Sequence, residues 1–159
     1  MWNFKKRVLY VFILLLSLSC AKKESFRKLE RPGKDKGIIY VIRPIQPTLA
    51  AWSYDFRLEK YKGHFKTKGE SQFISGFNLS NGEYFTQELD EGFYLLSIPS
   101  KEGVEKILRI EKGKRNFFRF VIFNEKEISI PDFFIKDITE VEALDDLLEN
   151  EHLKESFRE

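Results

Sequence analysis

From Gly37 onward the apolar residues of this chain come in runs of six to eight, each stopped by a residue that favours turns. Runs that short do not make helices of ordinary length; they make strands. Gly37-Ile38-Ile39-Tyr40-Val41-Ile42 is unbroken and ends at Arg43-Pro44, which reads as a strand buried on both faces. Trp52 to Glu59 alternates instead, with Trp52, Tyr54, Phe56 and Leu58 on one face, as in a strand buried on one side. Phe73 to Leu79 is a weaker strand closed by Ser80-Asn81-Gly82. Tyr84 to Leu89 follows and ends at Asp90-Glu91-Gly92, and Phe93 to Ile98 ends at Pro99. Val104 to Ile110 and Asn116 to Phe123 are read as a hairpin through Glu111-Lys112-Gly113-Lys114, with Ile128 to Ile130 as a short edge strand stopped by Pro131.

The pattern changes near the C-terminus. Thr139 followed by Glu142 has the spacing of a capping box, and Val141, Leu144, Leu148 and His152 fall on one side of a helix, flanked by Ile138 and Leu147. About seven strands and one terminal helix imply a mainly β fold. The expectation is a single antiparallel Greek-key β-sandwich over residues 37–136, with an acidic amphipathic α-helix within 137–159. A domain of that size holds one core.

The N-terminal stretch reads as an address. Lys5, Lys6 and Arg7 precede an apolar run, Val8 to Leu16, that is short of the ~20 residues a membrane-spanning helix requires. Ser17-Leu18-Ser19-Cys20 closes it, and Cys20 is the only cysteine. Small residues before a cysteine resemble the lipobox of bacterial lipoproteins, with Leu18 one place nearer the cysteine than is usual. Residues 1–19 are therefore expected to be a signal peptide, cleaved between Ser19 and Cys20, with Cys20 carrying the acyl chains. A cysteine that has no partner for an internal disulfide fits that role. Residues 20–36 are expected to be the lipidated cysteine and a flexible basic tether, with seven cations and three anions over 21–36.

Removing Lys5, Lys6 and Arg7 with the signal leaves 24 cations against 25 anions, so no basic footprint for nucleic acid remains. The charge is uneven along the chain: residues 137–159 carry nine anions and two cations.

Four segments together resemble one family: Ile38-Ile39-Tyr40-Val41-Ile42-Arg43-Pro44, Asn81-Gly82-Glu83-Tyr84-Phe85, Leu89-Asp90-Glu91-Gly92-Phe93-Tyr94, and Glu111-Lys112-Gly113-Lys114 leading into an aromatic strand. The chain is similar over residues 37–124 to a family of bacterial lipoproteins built on a domain of unknown function. That family shares a Tyr-Val-x-Arg-Pro opening and an Asn-Gly-x-Tyr-Phe segment, and is itself similar to transthyretin-like, carboxypeptidase-regulatory-like sandwiches. The resemblance implies a transthyretin-like or immunoglobulin-like sandwich in the cell envelope and transfers no catalytic residue. It departs at Asp90-Glu91-Gly92, where the family has proline before the glycine.

Catalytic signatures are sparse. His64 and His152 are the only histidines, and no residues stand at zinc-site spacing, so neither a metal nor a cofactor is expected. Gly113-Lys114 lacks the glycines of a phosphate loop, and no Gly-x-Ser-x-Gly element occurs. Two features suggest binding instead. Phe118, Phe120 and Ile122 lie on one face of their strand, while Phe117, Val121 and Phe123 lie on the other, so the strand must be covered twice. The terminal helix is the expected cover, and an envelope protein or glycan docking at Phe117, Phe118, Phe120 and Phe123 is the alternative. Arg43, a cation ending a buried strand, can hold an anion, pair with a nearby carboxylate or satisfy the chain's own carbonyls. The expected role is a non-catalytic binding or structural module tethered to the inner or outer membrane through acylated Cys20. The alternatives are an accessory subunit using the acidic helix, and a carboxylate hydrolase.

Overall fold

The computed structural model describes residues 23–62, 71–124, 130–149 and 153–157. In chain order the elements are β1 (Lys36–Arg43), β2 (Tyr54–Tyr61), β3 (Ser71–Leu79), β4 (Glu83–Asp90), β5 (Gly92–Ser97), β6 (Glu105–Ile110), β7 (Arg115–Phe123), β8 (Asp132–Ile138), the helix α1 (Glu140–Glu149) and β9 (Lys154–Glu155). They build two sheets, ordered β8-β7-β1-β4-β9 and β3-β2-β5-β6. The fold is therefore mainly β, a two-sheet sandwich with one short helix near its C-terminus.

Strand β1 is buried on both faces, as its unbroken apolar run requires. Ile39 and Val41 point into the core between the sheets, and Ile38, Tyr40 and Ile42 point into a second cluster under α1. The inter-sheet core is a stack of rings: Phe56 lies on Phe77 at 5.0 Å, Phe77 on Phe85 at 3.7 Å, and Phe120 meets Phe56 edge-on at 5.2 Å. Each such side chain contributes about 1.5–3 kcal/mol by leaving water.

Not every pairing is antiparallel. Strand β1 runs parallel to β7, from Ile38↔Arg115 to Ile42↔Arg119, and β4 runs parallel to β9. An immunoglobulin sandwich keeps its first two strands in one sheet, whereas β1 and β2 here belong to opposite sheets. The Glu111-Lys112-Gly113-Lys114 segment is a tight turn, with Gly113 at φ 71° and Lys114 N–H donating to Glu111 O at 3.2 Å. It is no hairpin, because it carries the chain from β6 in one sheet to β7 in the other. At this crossing the backbone of Gly37 passes so close that a Cβ would stand 2.6 Å from Glu111 O.

Several expectations are corrected. Trp52 does not join the buried face of β2; it precedes the strand and is 65% exposed. Ile130 is in no strand, while Ile128 and Ser129 lie outside the described residues. The hairpin partner of β7 begins after Pro131 instead, placing Phe133 and Ile135 against the core. Residues 137 and 138 therefore belong to the sandwich, and the helix starts at Glu140.

The capping box forms as its spacing implies: Thr139 N–H donates to Glu142 Oε2 at 2.7 Å, and Glu142 N–H donates to Thr139 Oγ1 at 3.2 Å. The buried face of α1 is not the expected one. Ala143 and Leu147 are buried, whereas Val141 and Leu148 are exposed and His152 lies outside the described residues. A small residue at Ala143 lets the helix backbone approach Ile38, Tyr40 and Ile42 closely.

The stretch read as a tether is fixed from Lys23 onward. Phe26 N–H donates to Leu153 O, and Glu155 N–H donates to Glu24 O, so Ser25 pairs antiparallel with Lys154 of β9. The Phe26 ring meets Tyr84 edge-on at 5.7 Å, and Leu29 packs into the cluster under α1. Further along, Glu30 N–H donates to Tyr40 Oη and Gly33 N–H to Glu88 Oε1, both at 2.7 Å. Burial holds the Tyr40 phenol above its ordinary value, so it stays neutral. The scattered apolar residues of 23–36 are thus a strap along β4 and β1.

Candidate functional site

Arg43 ends β1 with no exposed surface. Its guanidinium donates to three carbonyls: Trp52 O at 2.6 Å, Leu49 O at 2.9 Å and Leu79 O at 3.1 Å. Its charged carbon also lies 5.2 Å from the Tyr54 ring and 5.9 Å from the Phe120 ring, within range of cation–π attraction. Burial pulls the guanidinium below its ordinary value, opposed by Tyr54 and by Glu83. It remains charged, because arginine does not lose its proton in proteins. Arg43 is therefore a clasp between the 44–53 loop and β3: its two terminal nitrogens are on the chain's own carbonyls, its Nε is buried with no hydrogen-bond partner, and no surface of it is open to an incoming anion.

The aromatic candidates divide in the same way. Phe118 and Phe120 belong to the inter-sheet core. Phe117 is buried under α1, stacked on Tyr40 at 5.2 Å. Only Phe123 is open, 53% exposed at the end of β7. The helix thus covers the Phe117 end of the strand and leaves the Phe123 end uncovered. Cys20 and Ser19 lie outside the described residues.

The acidic helix spends much of its charge inside the molecule. Glu140 pairs with Arg115 at 3.1 Å, and Asp146 receives Arg119 Nε at 2.6 Å. A cleft of about 250 Å³ runs between the start of α1 and β7, lined by Arg115, Asn116, Phe117, Asp137, Ile138 and Glu140. A second, of about 440 Å³, is lined by Arg57, Glu59, Ser97, Lys101, Glu102 and Glu105. Three carboxylates line it, but Glu59 is engaged by Arg57 at 2.8 Å. His64 and His152 lie outside the described residues, and among the described ones no three His, Cys, Asp or Glu side chains gather closely enough to hold a metal.

One end of the sandwich stands out, and no motif pointed to it. The 44–53 loop, the Ser80-Asn81-Gly82 turn, the start of β9 and the end of β7 meet there. Gly82 N–H donates to Arg43 O, Gln46 N–H to Asn81 Oδ1, Lys154 N–H to Gly82 O and Ile122 N–H to Gln46 Oε1. Ile45, Trp52, Phe123, Ile130 and Phe157 are all exposed around this end. Trp52 and Phe123 were visible in the sequence as strand residues, but alternation alone cannot show that β2 starts only at Tyr54 or that the last residue of β7 is left uncovered. No family model, curated protein or solved structure matches the chain.

Proposed function

We propose that the chain is a lipid-anchored, non-catalytic module of the bacterial cell envelope that binds or braces an envelope component. The observation that carries this reading is the lone Cys20, three residues after a short apolar run with a basic start and directly after Ser17-Leu18-Ser19. Acyl chains on one cysteine hold a protein stably on a bilayer when two or more are present, at about 0.8 kcal/mol per buried methylene. The likeness to the lipoprotein family of unknown function supports the same location. The reading of α1 as the docking element of an accessory subunit is less favoured, because Glu140 and Asp146 are already paired with Arg115 and Arg119.

The test is metabolic labelling with a clickable fatty acid in cells making the full chain or its Cys20→Ser variant. Label on the first and none on the second supports the anchor. Equal label on both sinks it. A pull-down from detergent-solubilised envelope then separates binding from bracing, since only a binding module retains one stoichiometric partner.

A further inference from the structure

We propose that the end of the sandwich bearing Ile45, Trp52 and Phe123 rests on the bilayer that holds the acyl chains, with Trp52 seated at the headgroup level. This rests on the lipid-anchored reading above and adds to it an orientation and a second membrane contact.

The first argument is reach. Only Ala21 and Lys22 stand between Cys20 and Lys23, so the two Cα atoms at the ends of that stretch are at most about 11 Å apart. Lys23 is fixed to the domain. Its ammonium pairs with Glu83, the first residue of β4, and lies 5.6 Å from the Phe157 ring. A domain held that close to its lipid cannot stand off on a tether; the surface near Lys23 must meet the membrane.

The second argument is what that surface carries. Trp52 is 65% exposed and Ile130 91%, with Ile45, Phe123 and Phe157 each about half exposed beside them. Exposed aromatic and aliphatic side chains gathered at one end mark an interaction site, and tryptophan favours the water–lipid interface. Cations rim the same end: Lys23 beside Phe157, Lys154 at the start of β9, and Lys101 over the Phe133 ring at 4.6 Å. That arrangement suits anionic headgroups. The described turns at the opposite end carry Lys34, Asp35, Asp90, Glu91, Lys112 and Lys114, and the exposed large apolar side chains nearest them are Val141 at the start of α1 and Phe73 near the start of β3, fewer than the five gathered around Trp52.

The experiment uses the full chain with Trp2→Phe, which leaves Trp52 as the sole tryptophan whether or not residues 1–19 are removed. The protein is purified from membranes and reconstituted into vesicles of phosphatidylethanolamine and phosphatidylglycerol, with and without brominated acyl chains, and its mass reports acylation of Cys20. Brominated lipid should quench Trp52 emission roughly twofold, as contact at the interface requires. Adding Ile45→Ser, Phe123→Ser and Ile130→Ser should remove most of that quenching while circular dichroism shows the fold retained. Phe73→Ser with Ile107→Ser, on the outer face of the other sheet, should leave it unchanged. Acylated protein whose Trp52 is not quenched overturns the orientation and leaves the anchor standing. Equal loss from the Phe73 and Ile107 pair overturns it as well. If Cys20 proves unmodified, the anchor reading fails by itself. Quenching of the unacylated chain added to the same vesicles would then uphold the lipid-contacting end, and no quenching would end it.

Discussion

Arg43 holds the carbonyl of Leu49 at 2.9 Å, and Leu49 is the one described non-glycine residue with positive φ, at 50°. A leucine in that conformation costs about 1–2 kcal/mol, and the buried guanidinium is what keeps the 44–53 loop folded around it. The same loop carries Ile45 and Trp52 to the exposed end, so a charge with no surface of its own shapes the apolar surface there.

Removing that charge should take a donor from the carbonyls of Leu49, Trp52 and Leu79, of which Leu49 keeps the Trp52 N–H at 3.0 Å. Arg43→Met is expected to destabilise the domain by about 2–4 kcal/mol in urea unfolding, given ~1–3 kcal/mol for each buried group left unsatisfied and partial relief by water. Arg43→Lys should recover only part of this, since an ammonium on a flexible stem cannot span three acceptors as a planar fork does. Full stability in the methionine variant would show that the clasp is dispensable.

Neighbouring leucines on the helix should behave differently. Leu147 is 2% exposed and Leu148 is 59% exposed. Leu147→Ala is expected to cost about 2–5 kcal/mol by opening a cavity over Ile38 and Tyr40, and Leu148→Ala a few tenths of a kcal/mol. Thermal or urea melts of the two variants decide which face of α1 packs; the reverse order would restore the face expected from periodicity.

The helix cap should be pH-sensitive in one direction. The backbone N–H of Thr139, then its hydroxyl, hold the Glu142 carboxyl below its ordinary value. A carboxylate with a depressed folded-state value stabilises above its unfolded value, and that contribution is lost as pH falls through the folded value. Carbon-detected NMR titration should therefore place Glu142 below an ordinary glutamate, and Thr139→Ala, which removes the hydroxyl but keeps the backbone N–H, should move it part of the way back up. A Glu142 titration unchanged by that substitution would argue against the cap.

Hydrogen exchange should separate a strap from a tether. Phe26 N–H donates to Leu153 O at 3.0 Å and Glu155 N–H to Glu24 O at 2.9 Å. Both amides are expected to exchange more slowly than a free coil, and Phe26→Ser, which removes the contact with Tyr84, should speed both. Exchange at coil rates in the unaltered chain would mean that residues 23–36 hang free.

The sequence by itself determined the local elements: seven strands from their runs and alternation, Gly82 and Gly113 at turns with φ of 74° and 71°, and the cap formed by Thr139 and Glu142. These depend on residues a few positions apart, so nearest neighbours suffice to specify them. Strand β8 was also legible, since Phe133 and Ile135 alternate with Phe134 and Lys136, but Pro131 read as an end rather than a beginning. What the tertiary structure alone decided joins distant segments: the parallel pairing of β1 with β7, the crossing at Glu111 to Lys114 between sheets, and the docking of Phe26 on Leu153. The same holds for single side chains. Arg43 could hold an anion or satisfy the chain's own groups until Leu49, Trp52 and Leu79 supplied its acceptors, and α1 had apolar residues on two sides until the sheet selected Ala143 and Leu147. A period states that a face exists; only the surface packed against it, through burial and the need to satisfy every buried polar group, states which face it is.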